Sequence, residues 1–278
     1  MKKFRKVLSV LLCLVLMAGI LPVSVLAAGE EVAQIGEAKF SSLSAAIDAA
    51  QPGDTVTLLT NTQESISITK AITLDLNEKT LTGNGGSVIT INAPSMNVSI
   101  FNGTITGGSA SSGGGITISC GTVEIANCTI SKNTATTSSG GGIYMHTTTQ
   151  SDSSCRLVNC KITDNTAKAG GGIAAGAANY QNHGREATFY LKNTSIIGNH
   201  STGTYPTWGG GGVYLVGNGS RFTMESGEIS NNDSASNGGG IFSRNWHGIT
   251  IEGGEIKDNT ATAAGGGIYI ENVNPSSN

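Results

Sequence analysis

The sequence predicts an all-β protein: a right-handed single-stranded parallel β-helix, or solenoid, with a short N-terminal capping helix. The first observation is a repeat whose six copies begin at Val98, Val123, Cys155, Phe189, Phe222 and Ile249. Apolar residues stand at the start of each copy and two positions on, which is the alternation of a β-strand. The shortest spacing between copies is 25 residues, too short for two long helices, and the 40 glycines also disfavour helix.

Two positions of the repeat predict columns of stacked side chains. Isoleucine stands seven positions after each start, at Ile105, Ile130, Ile162, Ile196, Ile229 and Ile256. Asparagine stands ten positions after five of the starts, at Asn133, Asn165, Asn199, Asn232 and Asn259. Equivalent residues of successive coils stack roughly 4.8 Å apart, so we expect an aliphatic column and a hydrogen-bonded asparagine ladder. Because asparagine tolerates left-handed backbone geometry, we also expect the ladder residues to occupy a sharp bend.

Each copy then reaches a glycine cluster followed by a β-branched residue. The run Ile130…Asn133…Gly140-Gly141-Gly142-Ile143 resembles the repeats of chlamydial polymorphic outer-membrane adhesins, with isoleucine for phenylalanine and glycine for alanine. The chain is thus similar, over roughly residues 30 to 270, to bacterial surface members of the pectate-lyase-like right-handed β-helix superfamily. The resemblance implies the fold and says little about function, because the repeat is scaffold.

The first 28 residues have the features of a secretory signal peptide. Lys2, Lys3, Arg5 and Lys6 precede an apolar stretch from Val7 to Ile20, and small residues favour cleavage near Ala27 or Ala28. The sequence therefore predicts a secreted protein, extracellular or at the cell surface. No later stretch is apolar enough to span a membrane.

Residues 29–54 are predicted to form an N-terminal cap with a short helix. Phe40, Leu43, Ala46, Ile47 and Ala50 would share one helix face, which suits a plug for the open end of a β-helix. Residues 55–278 are assigned to the β-helix, whose first strands are expected at 56–59, 65–68, 72–76 and 88–91. The last coil reads as incomplete, so we expect self-association through an uncapped C-terminal coil.

The charge balance bears on the partner. The chain carries a net charge of −3, and loss of the basic signal segment makes the remainder more acidic. A phosphate backbone requires a basic stripe, so no nucleic-acid partner is predicted.

Cys128 and Cys160 share one repeat position in adjacent copies. Stacking would bring their Cα atoms within disulfide range, and export permits oxidation. The alternative is a small apolar stack of free thiols.

Function is expected in three inserted loops, at residues 144–154, 174–188 and 200–208. The first two leave the coil at one joint and the third at another joint, so we expect the third on a different face. The candidate ligand-binding residues in or beside these loops are Tyr180, His183, Arg185, Glu186, Tyr205, Trp208 and Trp246. Aromatic faces stack on sugar C–H bonds while polar groups take the hydroxyls, which favours a polysaccharide or a host or cell-surface glycan. The alternative is that each ring covers the base of its own loop.

Glutamates form a second candidate. Glu225 stacks on Glu252, and Glu228 stacks on Glu255. Stacked like charges repel unless they are screened or metal-bound, so these four are weak candidates for Ca²⁺ ligands. The alternative is a solvated outer face on which Lys192 offsets the charge of Glu225. No other cofactor is predicted.

Three functions remain open at this point. The preferred one is a secreted, adhesin-like β-helix that binds a glycan and has no catalytic residue. The second is a polysaccharide lyase or glycoside hydrolase, for which Arg185 and Arg244 are the candidate bases. The third is a structural stalk of a larger surface protein.

Overall fold

Successive coils of the chain stack in register, which confirms the predicted all-β parallel β-helix. The structure, a computed structural model, describes residues 30–147, 152–177, 186–217, 219–244 and 248–271. A complete coil has four strands, and we name the faces that they form A, B, C and D in chain order. Faces A, B and D belong to one 22-stranded sheet, whereas face C is a separate six-stranded sheet.

The strands of each face follow one another along the chain at the repeat spacing. Face A contains Thr55–Leu58, Thr73–Asp75, 97–101, 121–126, Ser153–Val158, Ala187–Lys192, Ser220–Met224 and Ile249–Ile251. Face B contains Thr62–Gln63, Thr80–Thr82, 103–106, 128–131, Lys161–Thr163, Thr194–Ile197, Gly227–Ser230 and Glu255–Lys257. Face C contains Ser109–Ala110, Thr134–Ala135, Thr166–Ala167, His200–Ser201, Asp233–Ser234 and Thr260–Ala261. Face D contains Ile66–Ile68, 89–92, 116–120, Ile143–Thr147, Ile173–Ala177, Val213–Val216, Ile241–Arg244 and Ile268–Glu271. Two strands, Ile89–Thr106 and Ile116–Ser131, run through faces D, A and B without a break.

The N-terminal cap contains the expected helix and, in addition, a hairpin that the sequence did not predict. Helix α1 spans Leu43–Ala49 and begins at the N-cap Ser42. The hairpin strands Ala33–Ile35 and Ala38–Phe40 pair antiparallel, and the first also pairs antiparallel with Thr55–Leu58. Phe40 therefore ends a strand and does not lie in the helix.

Two charged side chains hold the ends of helix α1. The Glu64 carboxylate accepts hydrogen bonds from the backbone N–H groups of Leu43 (2.8 Å) and Ser44 (3.0 Å). The Lys70 ammonium donates to three carbonyls of the last turn at 2.7 to 3.1 Å. A carboxylate at the N-terminus and an ammonium at the C-terminus both complement the helix dipole. The helix is thereby fixed with Leu43, Ala46 and Ile47 buried in the core.

The predicted isoleucine column lines the interior of face B. Ile105, Ile130, Ile162, Ile196 and Ile229 are fully buried, while Ile256 of the last described coil is only half-buried. That coil also exposes Ile251, Ile268 and Ile270, at 40%, 39% and 63% of their surface. Its apolar side chains thus reach the surface, while self-association through this end stays a prediction. Among the described residues, no helix reaches the length and apolarity that a membrane crossing demands.

The asparagine ladder is confirmed in detail. Asn133 Nδ2 donates to Asn165 Oδ1 at 3.0 Å, and the same contact recurs from Asn165 to Asn199, from Asn199 to Asn232 and from Asn232 to Asn259. The four ladder residues from Asn133 to Asn232 are buried. Each amide also donates to a backbone carbonyl of the preceding coil, such as Ile130 O for Asn165 at 2.9 Å. The ladder therefore satisfies backbone groups that water cannot reach.

The expectation that the ladder residues take the left-handed bend is wrong. The positive φ belongs to the residue before each of them, at Lys132, Asp164, Gly198, Asn231 and Asp258. A buried amide must point inward to meet its neighbours, so the exposed residue before it makes the bend. Left-handed asparagines do occur at the corner between faces A and B, where Asn102, Asn127, Asn159 and Asn193 form a second, surface ladder with amide contacts of 2.9 to 3.2 Å.

The stacked cysteines, Cys128 and Cys160, lie at this same corner. The four cysteines that the structure describes are free and buried: Cys120, Cys128, Cys155 and Cys160. The Cys128 and Cys160 thiols each donate to backbone carbonyls, and Thr194 donates its hydroxyl in the same way in the next coil. Burial raises the pKa of Cys128 to about 12, with a contribution from Cys160, and burial raises the pKa of Cys160 to about 11.

We expect these thiols to be unreactive in the folded protein, because the reactive species is the thiolate. A thiol-alkylating reagent should leave the mass of the native protein unchanged. After unfolding, all four described cysteines should be modified. Modification of only two would show that Cys128 and Cys160 form the disulfide that the sequence left open.

Candidate functional site

The structure describes part of the predicted ligand-binding set. Tyr180, His183, Arg185 and Trp246 lie outside the described residues, whereas Glu186, Tyr205, Trp208 and Arg244 lie within them. The predicted signal peptide, residues 1–28, also lies outside the described residues. The described residues of this set lie at two different joints of the coil. This agrees with the expectation that the third loop leaves the coil at a different joint from the first two.

The third loop was predicted at residues 200–208, but His200–Ser201 form a strand of face C. The loop that connects face C to face D therefore begins at residue 202, and we call residues 202–208 the aromatic loop. Tyr205 exposes 66% of its surface, and its ring meets Trp208 edge-on, with centroids 5.3 Å apart and planes at 69°. Trp208 is half-buried and packs on a cluster formed by Ala169, Ala174, Tyr214 and Phe242. The structure therefore assigns the two rings different roles, because Trp208 covers the base of its own loop while Tyr205 faces solvent.

The aromatic loop is anchored to the coils on both sides. Thr202 and Gly203 donate their backbone N–H groups to the preceding coil, to Ala167 O at 2.8 Å and Lys168 O at 3.0 Å. From the following coil, Ser236 Oγ donates to Tyr205 O at 3.0 Å, and Asn237 Nδ2 donates to Pro206 O at 3.1 Å. Tyr214 of the loop's own coil donates its hydroxyl to Thr207 O at 2.9 Å.

Glu186 lies at the other joint, between faces D and A. Its carboxylate pairs with Arg221 at 2.6 Å, and its backbone N–H donates to Asp152 Oδ1 at 2.9 Å. These contacts tie the start of one coil to its neighbours. Glu186 and the aromatic loop are thus not brought together into one site.

Face A carries an outward-facing cluster of which the sequence predicted only the contact between Lys192 and Glu225. The Arg156 guanidinium lies over the Tyr190 ring, 4.5 Å from its centroid. The Tyr190 hydroxyl donates to Glu225 Oε2, and Lys192 Nζ lies 2.7 Å from Glu225 Oε1. The Lys192 ammonium and the Tyr190 hydroxyl hold the pKa of Glu225 below its usual value. Tyr190 stands one position after the copy's first apolar residue, so strand alternation was the signal that placed it outward.

The glutamate pairs stack in register, yet they do not form one site. Glu225 and Glu252 each directly follow a strand of face A. Glu228 and Glu255 lie opposite each other in two paired strands of face B. Lys192 offsets the charge of Glu225 as expected for a solvated face, and Lys257 contacts both Glu228, at 3.9 Å, and Glu255. Within the described ranges, no three His, Cys, Asp or Glu side chains converge as ligands of a metal ion.

Arg244, one of the two candidate bases, lies on the outer surface of face D. Its Nε is 3.1 Å from Glu271 Oε2 of the next coil, and its side chain is largely buried. It follows Phe242, which stacks between Tyr214 (5.3 Å) and Tyr269 (5.5 Å) in a column of aromatic rings. An arginine engaged in this ion pair supports the outer face of the coil stack.

No protein-family model, no curated protein and no solved structure matches the chain. The resemblance to pectate-lyase-like β-helices therefore stays a prediction from the repeat.

Proposed function

We propose that the protein is a secreted or cell-surface β-helix, adhesin-like, that binds a glycan through the aromatic loop and has no chemistry of its own. The observation that carries this proposal is the exposed Tyr205 ring, held edge-on against Trp208 in a loop fixed to three coils. A ring that is both exposed and fixed is available to a ligand at little cost in conformational entropy.

The chemistry around the ring suits a sugar. Aromatic faces pack on the C–H surface of a sugar ring, and nearby carbonyl and hydroxyl groups take its hydroxyls. The signal peptide and the resemblance to surface adhesins, both predictions from sequence, are consistent with a ligand outside the cell.

We expect Tyr205→Ala to weaken retention on the cognate glycan at least about tenfold, the size of the loss of a central aromatic contact. Thr204→Ala is the matched control in the same loop and should bind normally. The measurement is retention on a panel of plant, host and bacterial polysaccharides, followed by titration of the one that is retained. Trp208→Phe, which keeps the packing of the loop base, should have a smaller effect than Tyr205→Ala.

The same panel tests the alternatives. Formation of new reducing ends or unsaturated uronate ends would overturn the proposal in favour of an enzyme. Tyr190 and Glu225 on face A would then be the first residues to mutate. Neither retention nor product would favour the structural stalk. Retention that Tyr205→Ala does not change would place the glycan elsewhere on the molecule.

A further inference from the structure

A depression of about 730 Å³ opens on the outer surface where faces C and D meet in the first coils. Its volume lies within the range of small-molecule sites. Its lining includes four residues with hydroxyl groups and two with rings, Ser87, Thr90, Thr117, Thr136, Tyr144 and His146. The lining contains no lysine, arginine, aspartate or glutamate, so it is uncharged as long as its histidine is neutral. Hydroxyl groups are abundant in it.

One column of outward residues explains the shape of the depression. Thr90, Thr117 and Tyr144 occupy equivalent positions in three successive coils of face D. The short side chains of Thr90 and Thr117 form the floor of the depression, and the larger phenol ring of Tyr144 stands above them at its end. His146 stands two residues after Tyr144, and the two rings stack with centroids 5.6 Å apart and planes at 30°.

The hydroxyl floor is fixed by internal hydrogen bonds. Ser87 Oγ and Thr117 Oγ1 are 2.9 Å apart, and Thr136 Oγ1 donates to Ala110 O at 3.0 Å. The backbones of Gly86 and Ser109 exchange two hydrogen bonds of 3.0 and 3.1 Å. The depression is therefore formed before any ligand arrives.

His146 borders the depression beside Tyr144. Its Nδ1 is buried and has no hydrogen-bond partner. Burial lowers the pKa of His146, against a smaller opposing contribution from the backbone of Thr147. This shift favours the neutral imidazole, which adds no charge to the lining.

We propose that this depression binds an uncharged saccharide unit, whose ring packs on Tyr144 and whose hydroxyl groups pair with the serine and threonine hydroxyls of the lining. The proposal rests on the proposed function for the class of ligand, a glycan, but it places a second subsite on another part of the surface. A lining without lysine or arginine gives no cationic partner to a uronate carboxylate or a sulfate group, so the site should select neutral sugars.

The test uses the Tyr205→Ala protein, in which the aromatic loop no longer contributes. Neutral gluco-, manno-, galacto- and xylo-oligosaccharides and an oligogalacturonate of equal length are titrated by calorimetry. We expect one neutral oligosaccharide to bind and Tyr144→Ala to weaken it about tenfold. Thr90→Tyr, which extends the aromatic column over the floor while keeping Tyr144 and His146, should abolish binding. Tyr190→Phe on face A is the matched control and should change nothing.

Circular dichroism melting curves must show that the variants fold like the parent. Unchanged affinity in folded Thr90→Tyr, preference for oligogalacturonate, or no binding to any member of the panel would each overturn the proposal. Failure of the proposed function would give a different result, because the Tyr205→Ala variant would then be retained on the glycan as strongly as the unmutated protein.

Discussion

Asn165→Ala is expected to destabilise the protein by about 4 kcal/mol or more, a loss far above that of an ordinary substitution. Asn165 is fully buried. Its Oδ1 accepts from the backbone N–H and the Nδ2 of Asn133, and its Nδ2 donates to Ile130 O and Asn199 Oδ1. Alanine removes all four contacts and leaves several buried groups unsatisfied, each at a cost of about 1–3 kcal/mol.

Asn259→Ala is the matched control for this prediction. Asn259 makes the corresponding contacts to Asn232 and Ile229, yet it lies half-exposed in the last described coil. Water can therefore replace part of what is lost. The midpoint of urea unfolding should fall much further for Asn165→Ala than for Asn259→Ala, and equal shifts would show that burial does not set the strength of the ladder.

Much of the fold was predictable because one physical rule governs it. When coils stack in register, residues at equal offsets in the repeat become neighbours in space. The offset of Asn133 and Asn165 therefore predicted a contact that the structure shows at 3.0 Å. The same rule predicted that Lys192 would offset the charge of Glu225.

Features that depend on a single coil were harder to predict. The repeat did not distinguish whether Asn133 or the preceding Lys132 takes the left-handed bend, since both lie at the same corner. The hairpin of residues 33–40 precedes the repeat and had no periodic signal. The aromatic column did have one, because Tyr144 and Phe242 each follow the β-branched residue after a glycine triplet, a position that strand alternation points outward.

The candidate site was predicted least well, because loops depart from the repeat. Composition gathered Glu186 and Tyr205 into one set, yet they leave the coil at different joints, and no offset rule gives the distance between two loops. The depression beside Tyr144 exists because the equivalent side chains of the two preceding coils, Thr90 and Thr117, are small. Such a site becomes visible only when the residues of one outward column are read together.

The second large effect is expected from the glycine triplets, which occur once in each regular coil. The first glycine of each triplet, such as Gly140 (φ 71°), takes a positive φ. The second is required for a different reason. A Cβ on Gly141 would lie 2.5 Å from Gly171 O, 2.5 Å from Thr166 O and 2.7 Å from Thr166 N, all backbone atoms of the next coil.

Gly141→Ala should therefore cost about 3 kcal/mol or more, since backbone cannot move aside as a flexible side chain can. Gly266 occupies the same position in the last described coil, where the nearest atom to a Cβ is Asn259 O of its own coil at 2.9 Å. Gly266→Ala should cost less than half as much in the same urea experiment. If the two variants were equally destabilised, the loss would come from the backbone conformation of glycine, and the close approach of neighbouring coils would not be its cause.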